Sequence, residues 1–179
     1  SNQYMKIFFI IIFIIISSCS DHSIRSYTDE QPKINLREFF NGNIYALGIV
    51  QNRSGKVIKR FKVDIKAFWK GNKGYLDEKF VYSDGKTESR VWELMEISQT
   101  VYEGRANDVI GIANGETAGN AFFFEYNLDL PVDDTSYKVN FEDWMFLLDK
   151  NTLLARSYMS KWGFNLGEVT IVFNKKEQN

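Results

Sequence analysis

The stretch Arg60-Phe61-Lys62-Val63-Asp64-Ile65-Lys66-Ala67 alternates charged and apolar residues without exception. Because successive side chains of a β-strand point to opposite faces, this order is typical of a strand with one wetted and one buried face. An α-helix would spread the same apolar residues around its whole circumference. The stretch therefore predicts a strand in a sheet that covers a core on one side.

The same period of two continues along the rest of the chain. One face is shared by Phe122, Phe124, Tyr126, Leu128 and Leu130, and another by Tyr137, Val139, Phe141, Asp143, Met145 and Leu147. Turn-forming pairs such as Asp84-Gly85 and Asn114-Gly115 separate these runs, since their residues tolerate a positive φ. About nine strands are predicted, at 44–51, 57–69, 75–83, 86–97, 100–113, 118–130, 137–148, 152–160 and 165–174.

The short links between these strands predict an all-β fold, an antiparallel up-and-down meander. No amphipathic helix of ten residues interrupts it, which disfavours a βαβ arrangement. Closure into a barrel would remove the two open edges that such a sheet otherwise exposes. We therefore predict a lipocalin-like (calycin-type) barrel, with a two-sheet β-sandwich as the alternative. A lipid-facing outer-membrane barrel is disfavoured, because the outward face of 57–69 is charged.

The composition excludes several classes of activity. The chain has 179 residues, a net charge of −1, one His and one Cys. A catalytic triad inside the fold needs a His, and His22 lies near the N-terminus; a structural zinc site needs about four Cys or His ligands. The near-zero charge argues against a nucleic-acid partner. We predict no metal site and no cofactor.

The N-terminal segment has the pattern of a bacterial lipoprotein signal. Lys6 precedes the ten apolar residues 7–16, a run too short to span a bilayer but suited to a signal-peptide core. Ser17 and Ser18 then lead into Cys19, the position that is lipidated in that class of protein. We predict a signal peptide at 1–18, a lipidated Cys19 with a polar tether at 19–35, and one β-barrel domain at 36–175.

The residue after the cysteine bears on localisation. In the lipoproteins that this segment resembles, Asp in that place favours the inner membrane, and this chain has Ser20. The resemblance implies a protein anchored through its acyl chains in the bacterial envelope, in the outer membrane and facing the periplasm. The predicted partners are the membrane, reached through the lipid anchor, and a lipid or fatty-acid ligand.

Several short motifs together carry a family resemblance. They are the stretch from Gln31 to Gly42, Asp84-Gly85, Arg90-Val91-Trp92, the stretch from Asn107 to Gly111, Ala118 to Ala121, and Asp143-Trp144-Met145. In this order the chain resembles the proteobacterial lipoprotein family catalogued as domain of unknown function 3833. The resemblance covers Gln31 to Lys175 and implies no catalytic residues. It inclines the expected ligand toward lipids.

The segment from Gly104 to Ala121 is unusually rich in Gly and Ala. Small residues in strands mark a bend or a close approach by another group. One interpretation is barrel curvature, where glycine relieves strain. The other is a wall that leaves volume for a ligand.

Polar residues with inward positions supply the candidate ligand site. We predict that an inward Arg holds the carboxylate or head group of an amphipathic ligand, since a guanidinium fork suits such groups. A purely structural ion-pair network remains the alternative for these residues. The candidates are Arg90, Arg105, Asp108, Asn120, Asp143, Trp144 and Arg156.

Two further functions stay open at this stage. One is a filled barrel that acts as a scaffold or protein-interaction module of the envelope, with an exposed apolar patch on its outer face. The other is an enzyme without histidine that uses carboxylates, with Asp108, Glu125 and Asp143 as candidates.

Overall fold

A computed structural model describes residues 22–175 of the chain. Ten antiparallel strands follow one another along the sequence and close into a barrel. Their bounds are β1 Gly42–Asn52, β2 Val57–Lys70, β3 Lys73–Tyr82, β4 Thr87–Glu96, β5 Val101–Arg105, β6 Val109–Ala118, β7 Ala121–Val132, β8 Thr135–Asp149, β9 Thr152–Lys161 and β10 Phe164–Lys175.

Closure is made by the first and last strands. β1 pairs with β10 from Ile44 opposite Lys175 to Asn52 opposite Gly167. Each other strand pairs with its neighbours in sequence, so the barrel has up-and-down order and the sandwich alternative is wrong. Because every strand of 42–175 is paired on both sides within the barrel, this part of the chain carries a complete sheet and is expected to fold on its own.

The strand count differs from the prediction at one place. The predicted strand 100–113 is two strands, β5 and β6, joined by a turn in which the Val109 N–H donates to the Ala106 carbonyl at 3.1 Å. Asn114-Gly115, predicted to be a turn, lies inside β6. Gly115 has no positive φ. The glycine there makes room for neighbouring rings instead of reversing the chain.

The small residues of β5 and β6 accommodate aromatic side chains. A Cβ added to Gly104 would lie 2.6 Å from the Phe124 ring, and one added to Gly115 would lie 2.5 Å from the Phe122 ring. Both rings are buried in the core. At these two positions phenyl rings occupy the space that the small residues leave.

A helical turn covers one end of the barrel, which we call the closed end. The turn, α1 (Leu36–Phe39), begins where the Asn35 side chain accepts the Glu38 N–H at 3.1 Å. The side chains of Leu36 and Phe39, at the two ends of this turn, are buried in the barrel core. The Trp69 indole N–H donates to the Phe40 carbonyl at 2.9 Å, which ties β2 to the cap.

The segment before the barrel lies against its outer wall. A 3-10 turn, Ile24–Tyr27, contacts β6 and β7, and Ile24 is buried. The Ile34 N–H donates to the Gly119 carbonyl at 2.8 Å. Gly119 has φ +54°, and an added Cβ would lie only 1.7 Å from the Tyr27 carbonyl oxygen. Residues 22–35 of the predicted tether thus pack on the barrel.

Other parts of the N-terminal prediction fall beyond this region. Cys19 and the signal peptide 1–18 lie outside the described residues, so the lipid anchor and the domain bounds stay predictions. None of the helices described between residues 22 and 175 is long and apolar enough to cross a bilayer.

Candidate functional site

A cluster of polar side chains extends from the turn between β5 and β6 into the inside of the barrel. It consists of Glu78 on β3, Arg90 on β4, Asp108 in the turn before β6, Tyr126 on β7 and Asp143 on β8. We call it the inner polar cluster. The four strand residues share the inward face of their strands with buried apolar residues, so strand alternation carries them into the core.

The guanidinium of Arg90 is engaged by two carboxylates. Its Nε lies 3.0 Å from Oδ1 of Asp108, and its Nη2 lies 2.5 Å from Oδ2 of the same residue. Its Nη1 lies 4.0 Å from Oε2 of Glu78. The bidentate geometry is the strong form of an Arg–carboxylate pair.

The two carboxyl groups deeper in the barrel are held in a less polar environment. Burial raises the pKa of Glu78 to about 7, although the charge of Arg90 acts in the opposite direction. Burial likewise raises the pKa of Asp143 to about 6, against the effect of the nearby Ser157 and Tyr126 hydroxyls and of Arg90. Desolvation disfavours the charged form of each acid and is the dominant cause in both.

One carboxylate oxygen of Asp143 lacks a hydrogen bond of good geometry. The Tyr126 hydroxyl donates to Oδ2 of Asp143 at 2.8 Å. Oδ1 is buried and makes no hydrogen bond of good geometry with residues 22–175, although the Ser157 hydroxyl, opposite Asp143 on β9, acts on the same carboxylate. A buried carboxylate oxygen without a donor is costly. Oδ1 can therefore accept a further hydrogen bond from a better-placed donor.

Exposure falls steadily along the cluster. The exposed side-chain fraction is 37% for Asp108, 21% for Arg90 and 11% for Glu78, and Asp143 as a whole residue is 6% exposed. The polar groups therefore run from the exposed turn before β6, at one end of the barrel, toward the core. We call this end the open end; it lies opposite the closed end capped by α1.

An apolar lip rises above the cluster at the open end. It is formed by Leu130 and Val132 on β7, Tyr137 on β8 and Phe164 on β10, all half-buried or exposed. Leu130 and Tyr137 are paired in register, as are Phe164 and Lys161. The Lys161 ammonium lies 4.0 Å from the centre of the Tyr137 ring. This combination of aromatic rings and a cation suits contact with an amphipathic molecule.

The structure brings together three of the residues nominated from sequence. Arg90, Asp108 and Asp143 lie in the inner polar cluster. Arg105 and Arg156 lie on the outer wall, and Arg156 forms an ion pair with Glu168 there.

Two other nominated residues lie away from the cluster. Trp144 is buried outside the barrel wall, beneath the N-terminal segment, where the His22 ring stacks on it at 3.9 Å and Ile24 packs beside it. Asn120 lies in the turn between β6 and β7, and its carbonyl accepts the Leu147 N–H at 2.8 Å.

Sequence reasoning missed Glu78, Tyr126 and Ser157 as members or neighbours of the cluster. Glu78 alternates with Leu76 and Phe80 along β3, and this parity was a usable signal. The strand pattern predicts an inward Tyr126 that fills the core, without a polar contact for its hydroxyl. Its hydroxyl contact with Asp143 depends on the pairing of β7 with β8.

Two surface depressions lie away from the cluster. The larger, about 660 Å³, is on the outer wall across β10, β1, β2 and β3. Its apolar lining includes Leu47, Val81 and Val172, and Arg60 and Lys62 flank it. The smaller, about 370 Å³, lies beside the β1–β2 turn. Within residues 22–175 no group of three or more His, Cys, Asp or Glu is arranged to hold a metal ion.

Comparisons with known proteins agree with the fold. A family model described as a protein of unknown function (DUF3833) matches residues 13–175. The S-type phycobiliprotein lyase CPES from Guillardia theta superposes with a TM-score of 0.57 and 9% identity, over 81% of this chain and 95% of that one. Rv2717c from M. tuberculosis superposes with a TM-score of 0.55 and 11% identity, over 83% and 100%. Both are lipocalin-like barrels. No curated protein matches the sequence.

Proposed function

The chain belongs to the family of proteins of unknown function DUF3833, and from that premise we propose that it is a lipid-anchored envelope protein that binds a small amphipathic molecule in the open half of its barrel. The observation that carries the binding proposal is the series of polar groups from the turn before β6 down to Asp143, whose Oδ1 makes no hydrogen bond of good geometry with the described residues. The apolar lip above these groups supplies a surface for the rest of the ligand.

The filled closed end dictates the orientation of the ligand. Phe122 and Phe124 occupy the barrel below the cluster. A long apolar chain therefore lies toward the open end, and the polar group of the ligand points down to the cluster. Each methylene withdrawn from water on the lip contributes about 0.8 kcal/mol. This differs from the sequence-based hypothesis, in which an inward Arg holds the head group, because Asp108 already engages Arg90.

Native mass spectrometry of residues 20–179 after incubation with an envelope lipid extract tests the binding proposal. We expect a discrete mass increment whose occupancy falls several-fold in Asp143→Leu, because the leucine removes the acceptor at the base of the site. Asp129→Asn is the matched control; it removes an exposed acid from the outer face of β7 and should leave occupancy unchanged. An unliganded mass in every extract contradicts the proposal.

The anchor is proposed from the sequence of the N-terminal segment. Cys19 lies three residues before His22, which stacks on Trp144 at the outer wall. Several acyl chains give stable anchoring where one is marginal. The expected location is the outer membrane, facing the periplasm.

Metabolic labelling with palmitate in a bacterial host tests the anchor. The full chain should incorporate label and partition with membranes, and Cys19→Ser should lose both properties because the acylated thiol is removed. His22→Ser leaves the cysteine in place and is the control for an unrelated change in this segment. Label retained by Cys19→Ser would rule out this residue as the attachment point.

A second candidate function is a scaffold or protein-interaction module. The outer-wall depression of about 660 Å³ favours it, since its apolar lining exposes Leu47 and Val81 to solvent. Apolar surface of this kind marks contact sites in many soluble domains. An unliganded mass in the experiment above would support this function over ligand binding.

A further inference from the structure

The inner polar cluster carries more acidic than basic groups. Glu78, Asp108 and Asp143 supply three carboxyl groups, and Arg90 is the one guanidinium that the described residues place among them. Both oxygens of Asp108 contact Arg90. Its remaining Nη1 faces Glu78 at 4.0 Å. A ligand carboxylate arriving here would meet two further acids and a cation that is already engaged.

Two cations that contact aromatic rings near the open end lie higher than the cluster. Lys161 lies over the Tyr137 ring of the lip at 4.0 Å, and Lys59 lies over the Tyr82 ring at 4.7 Å. An acid bound at that level would have to send its chain downward. The core below the cluster is filled by Phe122, Phe124 and other rings, so the chain has no space there.

We propose that the polar group recognised by the inner polar cluster is cationic, an alkylammonium-type head that donates to Oδ1 of Asp143 and faces the carboxyl of Glu78. The inference rests on the proposed binding function and names the ligand class for that site. An ammonium group carries N–H donors and no acceptor, which matches an environment of acceptors. It also brings a positive charge to a region where acids outnumber bases, and opposite charges attract strongly at reduced dielectric.

Three amphiphiles that share one chain and differ in the head test this inference. Residues 20–179 are titrated separately with dodecylamine, 1-dodecanol and dodecanoic acid, below their aggregation concentrations, and Kd is read from native mass spectra. We expect the amine to bind at least about tenfold more tightly than the acid, with the alcohol between them; a tenfold ratio corresponds to about 1.4 kcal/mol.

Variants locate the preference within the barrel. Asp143→Asn keeps the shape of the side chain but removes its charge, and it should abolish most of the amine preference. Glu78→Gln should reduce the preference in the same direction. Asp129→Asn removes an exposed acid from the outer wall and should leave the ratio unchanged.

The possible results distinguish failure of the cationic-head inference from failure of the binding function. Equal or tighter binding of the acid overturns the cationic-head inference and leaves the binding function standing. Failure of all three probes, together with an unliganded mass in lipid extract, overturns the binding function and this inference with it. An amine preference that survives in Asp143→Asn and falls in Asp129→Asn places the effect on the outer surface and overturns the assignment.

Discussion

Replacing Arg90 with methionine should lower the free energy of unfolding by about 3–5 kcal/mol at about pH 8, because removal of one partner strands a buried acid. Arg90 faces Glu78, which is buried, and it forms the bidentate pair with Asp108. Methionine fills a similar volume but offers neither charge nor hydrogen-bond donors. For a domain stabilised by about 5–15 kcal/mol, a loss of this size is a large fraction of the total.

Urea unfolding followed by tryptophan fluorescence measures this loss, since Trp92 lies within the barrel core. Arg156→Met is the matched control. Arg156 also pairs with a carboxylate, that of Glu168, but its side chain is 47% exposed. Exposed pairs contribute about 0–1 kcal/mol, so the control should lose little. Similar losses in both variants would show that burial of the Arg90 network does not determine its contribution.

The stability of the barrel should fall as the pH rises from about 4 to about 7. The folded-state pKa values of Glu78 and Asp143 are raised by burial, to about 7 and about 6, above their ordinary values of 4.5 and 3.8. Between the ordinary and the raised values, the folded protein holds protons that the unfolded chain has released. Linkage then requires the free energy of unfolding to decrease as the pH increases through this window.

The free energy of unfolding should change by several kcal/mol over this range, because one unit of pKa difference corresponds to about 1.4 kcal/mol. Urea titrations at a series of pH values give the slope directly. The double variant Glu78→Gln with Asp143→Asn should be nearly flat over the same range, since neither amide titrates. An unaltered slope in the double variant would assign the pH dependence to other groups. The loss in Arg90→Met should also shrink toward pH 5, where the two acids are protonated.

Much of the fold follows from local patterns in the sequence. The alternation from Arg60 to Ala67 predicts β2 and its inward face, and Phe61, Val63, Ile65 and Ala67 are buried as expected. The error at Asn114-Gly115 has a specific cause. An Asn-Gly pair can form a tight turn, but its glycine can also lie in a strand and make room for a ring. Here the ring is that of Phe122, which belongs to the next strand, so the pair alone does not reveal which case applies.

The candidate site is predictable only in part. Asp143 lies inside the barrel, as its position between Phe141 and Met145 indicates. The sequence does not indicate which arginine joins the site, because Arg105 and Arg156 are as plausible as Arg90. Asp108 meets Arg90 across 18 residues of chain, because β5 pairs antiparallel with β4, Glu93 opposite Arg105, and the turn after β5 therefore lies beside the first half of β4.

By itself, the sequence determined the all-β class, the inward or outward orientation of most strand residues, and the pattern of a lipoprotein signal at Cys19. These depend on interactions between near neighbours, which a period of two or a short apolar run records directly. The tertiary structure decided that Gly104 and Gly115 accept phenyl rings, that Trp144 lies under the N-terminal segment, and that Asp143 is buried beside the Tyr126 and Ser157 hydroxyls. Each of these depends on which side chains of other strands or of the N-terminal segment come into contact, and such contacts leave no periodic mark in either segment alone.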